Sequence, residues 1–384
     1  MGESSPLVTS VIEEIRARIA RGDLTPGRGL PSERKLVQDL QVSRGVIRDA
    51  IREMESLGMV LCRPKCRPII RNVSLAPTPV AEAELKHISI WLWPSPGDYS
   101  AASILKGIQS AEVPSDTRLV VASVPNAYNW QACLDAEAAF LESVATDRHT
   151  AGLILYYLGG ERNKPALEAI RKAGIPMVFV DRLPPGPFDG DYVGSDNEAA
   201  ARLGVQHLVE LGHERIALIS NQDEVSSVFG REAGYRRALR EARIPLRSEL
   251  IRRETIDDPT GVETAIEELL SLDAPPTAIV GINDHVALQV YEALQARGLS
   301  VPRDMSILGF DGLLRWVPGG GYLTTSCQDF ERIGQLATEI VIERSKETSP
   351  IAFRHIFLNA PLKICGSTDK PPASVPVKCI PNAE

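Results

Sequence analysis

The chain is 384 residues long, and what it lacks narrows its class before any motif is read. No run approaches eighteen uncharged apolar residues, so no membrane-spanning helix and no membrane partner are expected. Residues 1–21 alternate acids and bases where a signal peptide needs an apolar stretch, so the expected location is the cytoplasm. Cysteine is sparse, at 6 residues (Cys62, Cys66, Cys133, Cys327, Cys365 and Cys379), too few and too scattered for a disulfide framework. They read as reduced thiols. Histidine is equally scarce, at 6, and Cys62-x3-Cys66 has no second ligand pair nearby, so no metal and no cofactor are expected. Gly319-Gly320-Gly321 lacks the Lys-Ser/Thr of a phosphate-binding loop, and no nucleophile–base constellation stands out. An enzyme is therefore not expected.

What is present is a globular composition, 43% hydrophobic and 24% charged, with length enough for about two or three domains. The net charge of -8 conceals an asymmetry: residues 1–72 hold 13 Lys and Arg against 9 Asp and Glu, while the remainder holds 29 against 41. Only the basic head is a candidate surface for a polyanion.

Helical periodicity marks that head. Val8, Val11, Ile12, Ile15 and Ile19 recur at three- and four-residue steps. Ser32 is placed to cap a second helix bearing Leu36, Val37 and Leu40. Ser43 is placed to cap a third, with Ile47, Ala50, Ile51, Met54 and Leu57 on one face and Gly58 closing it. Two short strands, 59–62 and 68–73, would then flank a wing at 63–67. The expected domains are a winged helix-turn-helix over 1–72, a Pro-containing linker over 73–86, a body over 87–368 and a flexible tail over 369–384. In the body, apolar runs at 88–93, 119–123, 152–156, 177–180, 215–220, 278–282 and 306–310 alternate with helical stretches, which predicts βαβ units in two lobes.

On the third helix Arg44, Arg48 and Arg52 stand four residues apart, so their guanidinium groups share one face opposite the apolar set. A helix fits the major groove, and a guanidinium fork matches guanine O6 and N7 or phosphate oxygens. The alternative is an exposed helix whose arginines pair with Asp49, Glu53 or Glu55. Pro26-Gly27, Leu30-Pro31-Ser32-Glu33-Arg34, Val42-Ser43-Arg44, Arg48-Asp49-Ala50 and Leu57-Gly58 together resemble the GntR-type winged helix over about 65 residues. That resemblance implies operator double-stranded DNA as a partner, with Arg34, Arg44 and Arg48 at the contact positions and Ser32 and Ser43 adding phosphate bonds. Gly45 stands where that family usually has Thr, and the wing lacks tip glycines, which leaves Lys65 and Arg67 to hold phosphates.

In the body, a polyol ligand would need carboxylates, amides and guanidinium groups converging in a cleft, because each buried hydroxyl both donates and accepts. Asp181 and Arg182, Asn283 and Asp311 follow apolar runs, at strand ends where α/β crevices hold ligands, while Arg231 falls near the start of a helix and Gln328 follows Leu323-Thr324-Thr325. Each has a plainer alternative: Asp181 and Arg182 pairing with one another, or Asn283 capping the helix it precedes. Asp196 reads as a helix cap and His213 as structural. Val180-Asp181-Arg182, Asp196-Asn197, Leu211-Gly212-His213-Glu214-Arg215-Ile216, Arg231 with Gly234-Tyr235, Asn283-Asp284, Gly309-Phe310-Asp311 and Leu323-Thr324-Thr325 resemble the effector domain of LacI-type regulators, in order and spacing. The likeness covers about 87–367 and implies effector contacts at Asp181, Arg182, Arg231, Asn283, Asp311 and Gln328. Where that family often has aromatics around the sugar, this chain has Asp98-Tyr99-Ser100-Ala101, leaving Tyr99 as a stacking candidate, with Trp93, Tyr156, Phe229 or Trp316 as others.

The fold class expected is α/β: an N-terminal winged helix-turn-helix and a two-lobed periplasmic-binding-protein-like body of parallel-sheet βαβ lobes. The arrangement resembles the arabinose-responsive repressors and implies a homodimeric transcription regulator controlled by a small sugar-like effector. The competing reading is a regulator whose body has lost ligand binding and serves dimerisation or partner sensing.

Overall fold

The computed structural model describes residues 6–25, 27–56, 59–62, 67–70, 85–92, 99–122, 130–221, 225–254, 260–313, 322–347 and 352–373. Leu57, Gly58, Lys65, Trp93, Trp316, the wing loop and most of the linker lie outside them. The chain divides into two compact units, Met1–Ala83 and Glu84–Glu384.

In the first unit, helices α1 (Pro6–Ala20), α2 (Glu33–Leu40) and α3 (Arg44–Ser56) precede strands β1 (Val60–Leu61) and β2 (Ile69–Ile70). Val11, Ile12 and Ile15 of α1 meet Leu36 of α2 and Ile47, Ala50 and Met54 of α3 in one buried cluster, so the periodic apolar residues are the ones that pack. Ser32 Oγ accepts from Lys35 N at 3.3 Å and caps α2, and Ser43 Oγ accepts from Val46 N at 3.4 Å at the start of α3. Between the two helices Gln41 turns the chain with a φ of 52°. β1 and β2 pair antiparallel, Val60 opposite Ile70, and Gly29 bridges to Ile69 on the outer side.

The second unit holds two six-stranded sheets. In chain order its elements are β3 (Lys86–Trp91), α4 (Tyr99–Ser110), β4 (Thr117–Val121), α5 (Trp130–Thr146), β5 (Thr150–Leu155), α6 (Lys164–Lys172), β6 (Met177–Val180), β7 (Asp191–Ser195), α7 (Asn197–Glu210), β8 (Ile216–Asn221), α8 (Ser226–Glu241), β9 (Ile251–Glu254), α9 (Gly261–Leu270), β10 (Ala278–Gly281), α10 (Asp284–Ala296), β11 (Ser306–Asp311), β12 (Thr324–Cys327), α11 (Phe330–Arg344), β13 (His355–Leu358) and β14 (Leu362–Lys363). The first lobe has the strand order β13-β7-β6-β5-β3-β4, all parallel; the second has β14-β12-β11-β10-β8-β9, with only β14 antiparallel. Helices cover both faces, which is why strands such as Met177–Val180 are buried throughout and read as continuous apolar runs.

The chain passes between lobes three times: after β7, after β12 and after β13. On the second pass α11 returns to the first lobe and packs on α4 and the sheet. Gly107 and Gly334 permit this approach, since a Cβ on either would overlap a carbonyl oxygen of the opposite helix.

Two boundaries differ from the sequence reading. Lys86 already belongs to β3, so the body starts inside the stretch read as linker. The segment read as a mobile tail from Asp369 begins within the fold, because buried His213 donates from Nε2 to the Asp369 carbonyl at 2.8 Å and the Ser306 hydroxyl reaches the same oxygen at 3.1 Å. No helix among the described residues is long and apolar enough to cross a membrane.

Candidate functional site

The head presents its basic face on α3. Arg44 and Arg48 both reach back to Glu33 at the start of α2: Arg44 Nε donates to Glu33 Oε2 at 2.8 Å, and Arg48 Nε to the same oxygen at 3.2 Å. The two arginines keep 68% and 53% of their side chains exposed, so the pairing orients them without withdrawing them from a partner. The Arg44 hydrogen bond, helped by Arg48, holds the Glu33 carboxyl below its ordinary range despite partial burial. Sequence reading placed possible pairing partners on α3 itself, and Arg52 follows that pattern, donating to Asp49 at 3.0 Å. Arg34 is exposed on the second position of α2, and Arg67 is exposed before β2. Ser32 and Ser43 spend their hydroxyls as helix caps, which brings both helix starts, with their N–H groups, to the same end of the motif as Arg44.

In the body the polar groups converge on Arg231. Its Nε donates to Asn197 Oδ1, its Nη1 to the Ile282 carbonyl and its Nη2 to Asp311 Oδ1, each at 2.9 Å, while the guanidinium lies 3.9 Å from the centre of the Phe310 ring. Only 8% of Arg231 is exposed. Asp311 closes β11 with a φ of 115°, and Asp181 follows β6 with a φ of 61°. Two non-glycine residues in this conformation, one at a strand end of each lobe, mark where backbone strain is spent. Asp311 Oδ1 also accepts from Gln328 Nε2 at 2.7 Å, and the Gln328 backbone N–H donates to the Asp311 carbonyl. Burial pushes the Asp311 carboxyl up to about 7; Arg231 opposes this, and Asp284 and Asp181 add to it.

Asn283 and Asp284 divide their work differently from the sequence reading. Asn283 Oδ1 accepts from Val286 N at 2.8 Å and caps α10. Asp284 is the buried member, 1% exposed, accepting from Thr325 Oγ1 at 2.6 Å and from Leu313 N at 2.9 Å. Burial raises its carboxyl to about 6, against the pull of Thr325, Leu313, Gly312 and Arg231. Gly309 makes room for it, since a Cβ there would fall on Asp284 Oδ1. Asn197 and Asp284 are the functional candidates the sequence reading passed over. The signal for Asp284 was the glycine at 309; Asn197, in the first turn of α7, reads by itself as a helix-start residue.

Two buried acceptors or donors at the lobe crossings have no hydrogen-bond partner among the described residues: Gln328 Oε1 after β12, and Ser195 Oγ at the end of β7. Arg182 lies over the Tyr156 ring at 4.8 Å, and beside it Leu183 N donates to Ser226 Oγ of the other lobe at 2.8 Å. Tyr99 opens α4 and is 42% exposed, Phe229 is 56% exposed, and Tyr156 is buried under Arg182. Carboxylate, amide and guanidinium groups of Asn197, Arg231, Asp311 and Gln328 are thus joined by hydrogen bonds at one strand end.

Residues 7–66 match the bacterial regulatory proteins of the gntR family, and residues 205–368 match the periplasmic binding protein-like domain. Among curated relatives, the HTH-type transcriptional repressor PurR of Aliivibrio salmonicida is 30% identical over 57% of this chain and 65% of its own length. That of Vibrio atlanticus is 32% identical over 46% of this chain and 52% of its own. The chain thus spans between about half and two thirds of the curated relatives it matches. A putative ribose operon repressor from Burkholderia thailandensis superposes with a TM-score of 0.58 at 25% identity, over 70% of this chain and 96% of that one. A LacI family regulator from Enterococcus faecium with bound ribose gives 0.61 at 22% identity over 74% and 99%, and a CelR–cellobiose complex gives 0.61 at 22% over 85% and 92%. The last two likenesses bear on the fold alone.

Proposed function

For a chain that joins a gntR-family head to a periplasmic binding protein-like body, as this one does, we propose the function of a transcriptional repressor that binds operator DNA through the head and a small sugar-like effector between the lobes of the body. One observation carries this reading: the Arg231–Asp311–Gln328 hub, in which Arg231 is buried and Gln328 Oε1 has no partner among the described residues, lies in the same chain as a helix-turn-helix whose Arg44 and Arg48 stand exposed. The hub is built for recognition rather than turnover. Its carboxylates are fixed by donors, and Arg231 is held on three sides, so a ligand exchanging hydroxyls for these partners would be bound and oriented without bond breaking.

The DNA surface comprises Ser32, Arg34, Ser43, Arg44 and Arg48, together with Lys65 and Arg67 of the wing segment. The effector surface comprises Asp181, Arg182, Arg231, Asp311, Gln328, the amide of Asn283 and Tyr99, with Asn197 holding Arg231 and Asp284 holding Thr325. A symmetric dimer on a pseudo-palindrome would double the few base pairs one head reads. The test combines footprinting on the DNA flanking the gene with calorimetric titration of ribose, cellobiose and a panel of pentoses and hexoses. A two-fold footprint together with a sugar that binds supports the reading. Sugar binding without any sequence-specific footprint would overturn it.

A further inference from the structure

Glu137 is wholly buried on α5, and nothing in the proposed function uses it. Its Oε1 accepts from Leu158 N at 2.6 Å and its Oε2 from Asn163 Nδ2 at 2.8 Å, and the Gly159 N–H faces the same carboxylate. Asn163, 2% exposed, also donates to the Leu134 carbonyl at 3.1 Å, its own N–H donates to the Gly159 carbonyl at 3.3 Å, and Tyr157 OH donates to the Gly160 carbonyl at 2.5 Å. These bonds close the loop that follows β5. The same loop starts with Tyr156, whose ring carries the Arg182 guanidinium at 4.8 Å, beside the inter-lobe bond from Leu183 to Ser226.

Each of these partners of Glu137 is a donor. An ionised carboxylate satisfies all of them, whereas a protonated one would bring an O–H to a site that offers only donors and would have to give up a bond. Burial raises the carboxyl to about 7, with Asn163, Leu158, Gly159 and Arg182 pulling it back. Arg182 from the end of β6 and Tyr157 from the loop face it, and Glu161 acts on Tyr157 in turn. Glu161 is itself paired with Lys164 of α6 at 2.7 Å, and Asp135 on the outer side of α5 is paired with Arg162.

We propose that Glu137 is a positioning residue whose ionised carboxylate clamps loop 156–160, and with it the Tyr156–Arg182 pair, so that this wall of the ligand cleft loosens as the solution is acidified. The clamp stands on the geometry above; its service to a ligand rests on the effector reading. The test is hydrogen exchange of the full chain at pH 8 and pH 6, corrected for intrinsic exchange, following Leu158 and Gly159. Opening of the loop takes the Leu158, Gly159 and Asn163 donors away from a carboxyl that stays buried on α5, so the opened loop binds the proton more tightly than the clamped one, and protection in the wild type should fall about tenfold between pH 8 and pH 6. Glu137→Gln should be weakly protected and flat with pH, and Glu137→Asp, which keeps the charge, should recover part of the pH dependence. If Glu137→Gln does not fold, the wild-type profile decides alone. Equal protection at both pH values, or wild-type protection in a folded Glu137→Gln, would overturn the clamp. Titration with ribose and cellobiose is the separate arm. A clamp with no sugar bound at either pH sinks the effector reading and leaves the clamp; a sugar whose affinity ignores both pH and Glu137→Gln overturns its service to the site.

Discussion

Arg231 reaches Asp311 across 2.9 Å while its guanidinium covers the ring of Phe310, the residue immediately before it in β11. One strand end thus supplies both an ion partner and an apolar floor for the same cation. The arrangement leaves Arg231 unable to swing away, and Asn197 and the Ile282 carbonyl hold its other nitrogens. A cation fixed in this way is pre-organised, so a ligand would not have to order it on binding.

Removing either member should therefore weaken ligand binding more than it weakens the fold. Arg231→Ala or Asp311→Ala leaves a buried charged partner unpaired, at a cost of about 1 to 3 kcal/mol or more, equivalent to roughly five- to a hundredfold or more in affinity. Asn283→Ala should act differently, because the side chain caps α10. It should cost about 1 kcal/mol of stability with a smaller change in affinity. Calorimetry beside thermal unfolding separates the two kinds of effect; a ligand indifferent to Arg231→Ala and Asp311→Ala would place the site elsewhere.

On the head, Arg48→Ala should lose about 1 to 3 kcal/mol of operator affinity if its fork reads a base, and Arg44→Ala/Arg48→Ala should abolish discrimination. Glu33→Gln tests the carboxylate that holds both arginines. Freed of a competing anion, the face should bind nonspecific DNA a few-fold more tightly at low salt, with the gain vanishing at high salt. Gel-shift titrations across salt concentrations read both effects, and an unchanged nonspecific affinity in Glu33→Gln would show that the pair does not compete with phosphate.

Much of this was legible because the chemistry is local. The apolar runs of parallel strands and the three-and-four spacing of α1 follow directly from burial, as Val178 and Phe179 or Val11 and Ile15 show. β7 was not read as a strand because Asp191, Gly194 and Ser195 interrupt its apolar run, and Asp191 is tolerated there because Arg344 Nη2 and the Arg354 backbone N–H, both far along the chain, donate to it at 2.7 Å. β13 alternates exposed and half-buried residues at a sheet edge, too short a pattern to stand out. The Glu33 bridge escaped for the same reason as the Asp191 pair: partners on different elements are set by packing, which spacing along one helix cannot supply. Asn283 was weighed rightly as a capping alternative, whereas Asp284 needed the view of Gly309 standing against it.

Stability should depend on pH in two opposed ways. Asp311 and Asp284 have carboxyls raised by burial to about 7 and about 6, above their unfolded value of 3.8, so the native state holds protons that the unfolded chain has lost. Their contribution is therefore present at the acidic end and lost as pH rises through about 4 to 7. His213 and His207 run the other way: burial lowers both below 6.5, so the unfolded chain takes up protons first and stability falls as pH drops below about 6.5. Unfolding midpoints between pH 5 and 8 should show Asp311→Asn flattening the decline on the alkaline side. An identical profile in wild type and Asp311→Asn would mean that this carboxyl titrates normally.

Ligand and operator should be coupled, since an effector that favours one arrangement of the two lobes can change a dimer's fit to its half-sites only if that change reaches the heads. Coupling of this kind is typically about 1 to 3 kcal/mol and must be reciprocal, so the factor by which ligand alters operator affinity equals the factor by which operator alters ligand affinity. The expected direction is release from DNA. The stretch between the units contains Pro77 and Pro79, which limit its conformational freedom and favour transmission, whereas a Gly-Ser insert would add slack. Operator titrations with and without saturating ligand should therefore differ by roughly five- to a hundredfold in the wild type, and by much less in a variant carrying such an insert after Pro79. Loss of coupling with operator affinity retained would locate transmission in that segment. Equal operator affinity in both ligand states of the wild type would sink allosteric control and leave the body a role in dimerisation or partner binding.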